Sequence, residues 1–325
     1  MKLPRRQILH LAVGAAALPA ASRIARAQSY PARPVRLIEG FGPGSAPDIV
    51  ARVLGQWLSE HLGRQFVVDN RTGAAGNIAT EAVVRASPDG YTLLMVGSAN
   101  AINAPLYEKL NFNFIRDIEP VASISRALLL LMVNPSVPVR TIPDLISYAK
   151  ANPGKLNMAS SGVGTTNHLA GELFKMLTGV NMVHVPYRGA TPGLTDLLSG
   201  QVQVTFGGMI SSIEYIKAGQ LRALAVTGAT RMDLLPAIPA VNEFVPGYEA
   251  SAFYGVGAPK GTPAAIIRTL NDAINAALDS PVMKARFADL GGTVIAGSPA
   301  DFGKLIADET EKWGKVIRAA HIKPQ

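Results

Sequence analysis

The sequence predicts an α/β protein of two domains, with mostly parallel sheets flanked by helices. Three observations predict it. Nine short apolar or alternating runs recur along the chain, with helix-length segments between many of them, which is the pattern of βαβ units. The 325 residues are 48% hydrophobic and only 17% charged, enough for one or two cores, since a single core stops growing near ~250–300 residues. Helix-start signals also stand where the helices should begin. The low charge and 31 glycines argue against a disordered or coiled-coil chain.

The first 27 residues stand apart. They carry Lys2, Arg5, Arg6, Arg23 and Arg26 and no acid, so the formal charge of +8 falls to 26 basic against 23 acidic residues without them. The basic stretch Lys2 to Arg6 precedes an apolar run from Ile8 to Leu18 and then Ala25-Arg26-Ala27. That is the order of a secretory signal, with cleavage expected after Ala27. The run is short of the ~20 residues a membrane span needs. Arg5-Arg6 followed by Gln7-Ile8-Leu9 resembles a twin-arginine signal, and the general export route fits the same residues equally well. The chain has no cysteine. Disulfides, thiol catalysis, cysteine-held metals and a lipid anchor on a mature N-terminal cysteine are therefore excluded. No dense Lys/Arg run follows residue 27, and aromatics are 6%, so nucleic acid is not an expected partner.

The strands are expected at residues 35–39, 66–69, 93–96, 128–133, 156–159, 183–185, 202–206, 223–226 and 253–257. Between the first two, Ile49, Val50, Val53, Leu54, Trp57 and Leu58 form one apolar helical face. Ser45-Ala46-Pro47-Asp48 supplies its cap, an early proline and a first-turn acid. Similar starts stand at Thr141-Ile142-Pro143-Asp144, Thr191-Pro192 and Ser298-Pro299-Ala300-Asp301. Gly63 and Gly200 sit where helices should stop. The chain has neither an internal repeat nor a low-complexity linker.

Two loops carry the candidate chemistry. Phe41-Gly42-Pro43-Gly44-Ser45-Ala46-Pro47-Asp48 joins the first strand to the first helix. Its small residues let backbone N–H groups approach a ligand, and the helix start favours an anion. It lacks the third glycine of a dinucleotide fingerprint and the Gly-Lys-Ser/Thr of a phosphate loop. A plain tight turn with a helix cap accounts for it equally well. The second loop, residues 159–168, leaves a strand and enters a helix in the same way, with hydroxyls on Ser161, Thr165 and Thr166 and glycines at 162 and 164. Together they suggest opposed anion cradles facing across a cleft.

Catalysis has weaker support. Ser161, His168 and Asp196 have the residue types of a hydrolytic triad, but no G-x-S-x-G elbow surrounds a serine. His168 is expected to cap or pack at its helix start. His61, His184 and His321 have no metal-ligand spacing. Asp69-Asn70-Arg71, with the glycine-bearing segment 72–77, reads as a turn into a helix. Val185-Pro186-Tyr187-Arg188-Gly189 sets Tyr187 and Arg188 at the carboxyl end of a strand, where open α/β sheets bind ligands. Arg188 could grip a carboxylate through two parallel bonds or stay solvated.

These motifs together resemble the Bug-type periplasmic solute-binding proteins, the TctC-like components of tripartite tricarboxylate transporters. The resemblance rests on Tyr30-Pro31, the segment 42–52, Asp69-Asn70-Arg71 with 73–77, and Pro88-Asp89-Gly90-Tyr91-Thr92-Leu93. It continues through Ala151-Asn152-Pro153-Gly154-Lys155-Leu156, Ser161-Gly162-x-Gly164, His168-Leu169-Ala170 and 185–189. Leu198-Ser199-Gly200-Gln201-Val202, 221–226 and Ala258-Pro259-x-Gly261-Thr262-Pro263 complete it. It spans nearly all of residues 29–325.

The resemblance implies a type II, two-lobed binding-protein fold with crossover segments near residues 120–126 and 248–254. Lobe one would comprise residues 28–122 and 253–325, and lobe two residues 123–252. The helices around residues 266–278 and 302–317 would return to lobe one. It further implies a ligand held between the lobes by backbone amides and ordered waters rather than by obligatory salt bridges. Carried over by position, Phe41, Gly44, Ser45 and Asp48 belong to the first cradle. Ser161, Gly162, Thr165, Thr166 and His168 belong to the second. Ser98, Asn100, Tyr187 and Gly207 would help line the cleft. This chain departs from the family pattern at Ser45, where a second glycine is common, and at Pro47, where threonine is frequent.

The implied function is capture of a small organic carboxylate by domain closure and delivery to a membrane transporter, without chemical turnover, cofactor or metal. Dicarboxylates, tricarboxylates, acidic amino acids and aromatic acids all suit such a cradle. The expected protein is periplasmic, free of a lipid anchor, and a monomer. Sensing through a histidine-kinase ectodomain and a secreted serine hydrolase acting through Ser161 are the alternatives.

Overall fold

A computed structural model describes residues 30–324, Ile210 and Asp233 excepted. The signal sequence and its expected cleavage after Ala27 lie outside the described residues. The chain opens with β1 (Val35–Glu39), α1 (Ala46–Leu62), β2 (Phe66–Asn70), a 3₁₀ turn (Ala74–Gly76), α2 (Asn77–Val84), β3 (Thr92–Gly97) and α3 (Ser98–Leu106). A short α4 (Phe114–Asp117) leads into the 16-residue β4 (Ile118–Val133). Then follow α5 (Ile142–Ala151), β5 (Leu156–Ser160), α6 (Thr166–Thr178), β6 (Met182–Pro186), α7 (Ala190–Ser199), β7 (Val204–Gly208), α8 (Ile213–Lys217) and β8 (Arg222–Val226). The chain ends with β9 (Ser251–Pro259), α9 (Ala264–Asp279), α10 (Pro281–Asp289), β10 (Gly292–Val294) and α11 (Pro299–Ala319).

The strands run in the order β2-β1-β3-β9-β4-β7-β5-β6, with β10 and β8 also paired to β4. β4 divides this array. Its residues 118–128 pair antiparallel with β9, while Leu129–Val133 pair with β7 and β8. On one side β2, β1 and β3 are parallel; on the other, β6, β5 and β7 are parallel. Both expected crossover segments therefore fall at the paired β4 and β9, where Ser125 opposes Tyr254.

Three of the four capping signals form as written; at the fourth, α7 begins at Ala190 behind Gly189, with no side-chain cap, so Thr191 and Pro192 lie inside its first turn. Ser45 caps α1, Thr141 caps α5 and Ser298 caps α11, each accepting the backbone N–H of the acid three residues on. Gly63 and Gly200 close α1 and α7 in the left-handed conformation. Val35, Leu37, Leu54, Leu93 and Leu270 lie in the core of the first half; Phe174, Phe206 and Tyr248 lie in that of the second. The last helix serves both. Its Phe302 and Ile306 pack with Phe253, whereas Trp313, Val316 and Ile317 pack with the second core. At 21 residues it is about 31 Å long, which is enough to strap one half to the other.

Candidate functional site

A cavity of about 320 Å³ opens between the halves. Phe41 and Ser45 line it from the β1–α1 loop, and Ser98, Asn100 and Asn103 from α3. Ser161, Thr165 and Thr166 line it from the β5–α6 loop, and Gly207 and Ser212 from β7 and its loop. The two cradle loops thus share one hollow.

The first loop is held from below. Asp48 is buried, and its Oδ2 accepts the Gly44 N–H at 2.9 Å while Arg52 pairs with both carboxylate oxygens. These bonds hold the Asp48 carboxyl below the usual range, against the desolvation that would raise it. The Asn70 amide donates toward Asp48 Oδ1, Phe41 O and Glu39 Oε2 at 2.9–3.0 Å. Asp48 and Gly44 accordingly fix the loop and do not line the cavity. Gly40 lets β1 meet the 3₁₀ turn, because a Cβ there would stand 2.7 Å from Gly76 Cα.

The second loop is organised by Asn167. Its Oδ1 accepts from the backbone N–H of Ser161 and of His168, and its Nδ2 donates to Ser161 Oγ at 2.9 Å. Thr165 Oγ1 donates to Gly162 O at 2.6 Å. His168 lies behind the loop: Gly164 N–H donates to its Nδ1, and its ring stacks on His184 at 3.7 Å. Burial, reinforced by His184 and Lys175, pushes its pKa down to about 3, so the ring is neutral. His184, pushed down to about 4 chiefly by burial, lies 2.6 Å from Ser160 Oγ through its Nε2. No triad forms among the three residues considered for one. Ser161 is engaged by Asn167, His168 by Gly164, and Asp196 by the Tyr187 hydroxyl at 2.6 Å.

Gly162, Tyr187 and Arg188 also stay outside the lining. The Tyr187 ring supports Gly193 of α7, where a Cβ would meet it at 3.2 Å. Arg188 is exposed and forms no ion pair among the described residues. Ser98 Oγ accepts the Phe253 N–H, which ties α3 to β9. Asn100 accepts the Gly97 N–H and donates to Thr80 Oγ1.

Sequence reasoning missed Glu39, Asn103, Ser160, Asn167, Ser212 and Tyr254, all of which line the cavity. Glu39 offered the one available signal, an acid closing an apolar strand directly before the cradle loop. It is 1% exposed. Burial pushes its carboxyl up to about 7, against the hydrogen bonds from Phe41 N–H and Asn70. No lysine, arginine or histidine lines the cavity among the described residues. An anion there would meet hydroxyls, backbone N–H groups and the first turns of α1 and α6.

Residues 50–322 match the tripartite tricarboxylate transporter family receptor, TctC. Protein BugT of Bordetella pertussis is 38% identical over 300 residues, covering 91% of this chain and 92% of that one. Among solved structures, Rpa4515 of R. palustris with adipate has 39% identity and a TM-score of 0.81, covering 91% of this chain and all of that one. MatC of Rhodopseudomonas palustris with bound malate has 29% identity and a TM-score of 0.76, covering 89% of this chain and all of that one. The periplasmic binding protein BugD has 30% identity and a TM-score of 0.77, covering 91% of this chain and all of that one.

Proposed function

Since the chain belongs to the TctC family of tripartite tricarboxylate transporter receptors, we propose that it captures a small organic carboxylate outside the inner membrane and hands it to a membrane transporter. One observation carries this reading: both cradle loops, each opening a helix, line a single cavity that has hydroxyl and N–H donors and, among the described residues, no basic side chain. Such donors suit a carboxylate, and adipate and malate are the guests of two structural relatives.

In this reading, lobe one comprises residues 28–122 and 253–325 and lobe two residues 123–252, flexing at the paired β4 and β9. A guest touching both lobes favours the closed state and shifts the population towards it. The closed protein docks on the transporter. Cleavage after Ala27 releases it as a free periplasmic monomer. Phe41, Ser45, Ser98, Asn100, Ser161, Thr165, Thr166 and Gly207 contact the guest directly. Gly44, Asp48, Gly162, His168 and Tyr187 shape the loops, and Arg188 stands at the rim.

Thermal denaturation with a panel of carboxylates tests the proposal, because a guest stabilises by RT ln(1 + [L]/Kd), about 2.7 kcal/mol at one hundred times Kd. At least one carboxylate should raise Tm in a concentration-dependent way and be recovered unchanged. Unshifted melting throughout the panel would count against the substrate class, and product formation against the binding role.

A further inference from the structure

The cavity has a carboxylate of its own and, among the described residues, no cation lining it to answer that charge. Glu39 stands at the C-terminal end of β1, and its Oε2 accepts from Phe41 N–H at 2.8 Å and from Asn70 Nδ2 at 3.0 Å. No basic side chain pairs with it among the described residues. Arg52, the arginine that feels the Glu39 charge, is bound to Asp48 at 2.9 Å, so the floor beneath the β1–α1 loop holds two carboxylates and one guanidinium. On the side of β9, Tyr254 faces the same cavity; burial and the Glu39 charge push its phenol up to about 12, so it stays neutral. Its hydroxyl makes no hydrogen bond among the described residues. In the opposite wall, the Ser212 Oγ is buried without a partner.

A guest with carboxylates at both ends would bring a negative charge to a buried acid in a site of low dielectric, where like charges within reach of each other are strongly unfavourable. A guest with a nitrogen at that end would complete the pair.

We infer that the guest is an amino-carboxylate, whose ammonium sits against Glu39 while its carboxylate lies at the β5–α6 loop beside Ser161 and Thr166. The inference rests on the carboxylate-binding reading and narrows it. Glu39 then selects among carboxylates, and Tyr254, which stands beside it, offers a hydroxyl to the shell of the nitrogen. Ionisation of Glu39 gives the selection a pH dependence of definite sign. Affinity for an amino-carboxylate rises between pH 6 and pH 8, and affinity for a dicarboxylate falls, because only the ionised acid attracts the first and repels the second.

Calorimetric titration of the protein with matched pairs tests this: adipate against 6-aminohexanoate, succinate against 4-aminobutanoate, and glutarate against 5-aminopentanoate. At pH 8 at least one amino-carboxylate should bind about tenfold or more tighter than its partner, the scale of a charge-assisted bond. E39Q keeps acceptors for Phe41 N–H and Asn70 but removes the charge, so it should abolish or reverse that ratio. Tighter dicarboxylate binding by the wild type at pH 8 overturns the inference and leaves the carboxylate reading standing. Binding of no member of any pair, by wild type or E39Q, counts against both. Should E39Q fail to fold, the opposite pH trends of the wild type decide alone, and parallel trends overturn the inference.

Discussion

Burial pushes the Glu39 carboxyl up to about 7 and the His168 imidazole down to about 3, and the two load the fold in opposite directions along the pH axis. Glu39 binds its proton more tightly folded than unfolded, where its pKa is near 4.5. Its contribution is therefore present below about pH 4.5 and is lost as the pH rises through 7. Removing the charge should consequently stabilise the protein. E39Q is expected to exceed the wild type by on the order of 2 kcal/mol at pH 8, with the gap closing near pH 4. Denaturant unfolding across that range measures it, and an equal gap at both ends would mean that the effect is packing rather than ionisation. His168 runs the other way. Its folded pKa lies below the ordinary 6.5, so the unfolded chain takes up the proton first and stability falls as the pH drops from 6.5 towards 3. A buried acid that costs stability at neutral pH, in a cavity lined by dipoles, is the kind of strain a binding site retains for its guest.

At the scale of elements, the end of β1 meets the 3₁₀ turn before α2 in a tight backbone-to-backbone joint beneath the site. A Cβ on Gly40 would stand 2.7 Å from the backbone of Gly76, and backbone has no flexible end that can swing aside. Gly40→Ala should destabilise by about 1–3 kcal/mol and weaken ligand binding together with it, since Ala75 and Gly76 line the cavity. Chemical denaturation and titration of the same variant check both, and unchanged affinity would separate the joint from the site. Most elements were legible because their signals are local: apolar runs for the strands, and a Ser or Thr cap with an early proline for α1, α5 and α11. The first half of β4 was not. Pro120, Ser123, Ser125 and Arg126 break its apolar pattern, the register shifts twice there, and only pairing with β9 makes it a strand. The burial of Glu39 was not legible for a related reason, although its place before the cradle loop was a signal. An acid at a strand end reads as solvent-facing, and Glu39 is enclosed by residues distant in sequence, with Asn70 bonded to its carboxylate and Tyr254 beside it. The cradle loops could be read from glycines and hydroxyls, but not which of their side chains face inward: Asp48 and His168 have the chemistry of ligand contacts and the geometry of supports.

At the scale of the molecule, the two halves share β4 and β9, and α11 places Phe302 in one core and Trp313 in the other. On the proposed domain closure, this strap limits how far the halves part, so the cleft opens by a modest hinge rather than by separation. The cleft's electrostatics then govern how capture responds to salt. Attraction between exposed charges is screened beyond a Debye length of about 8 Å at physiological ionic strength. Among the described residues no lysine, arginine or histidine lines this cavity, and past residue 27 the chain carries 26 basic against 23 acidic residues, so long-range steering of an anion is weak. Capture must then rely on short-range N–H and hydroxyl dipoles, together with the buried Glu39, which salt screens little. Affinity for the bound carboxylate should change by less than about threefold as sodium chloride is raised from low to physiological concentration and beyond. Calorimetric titration along a salt series measures this. A steep fall would instead assign part of the grip to a solvated cation at the rim, and Arg188, exposed at the carboxyl end of β6, is the side chain whose replacement by alanine should then flatten the curve.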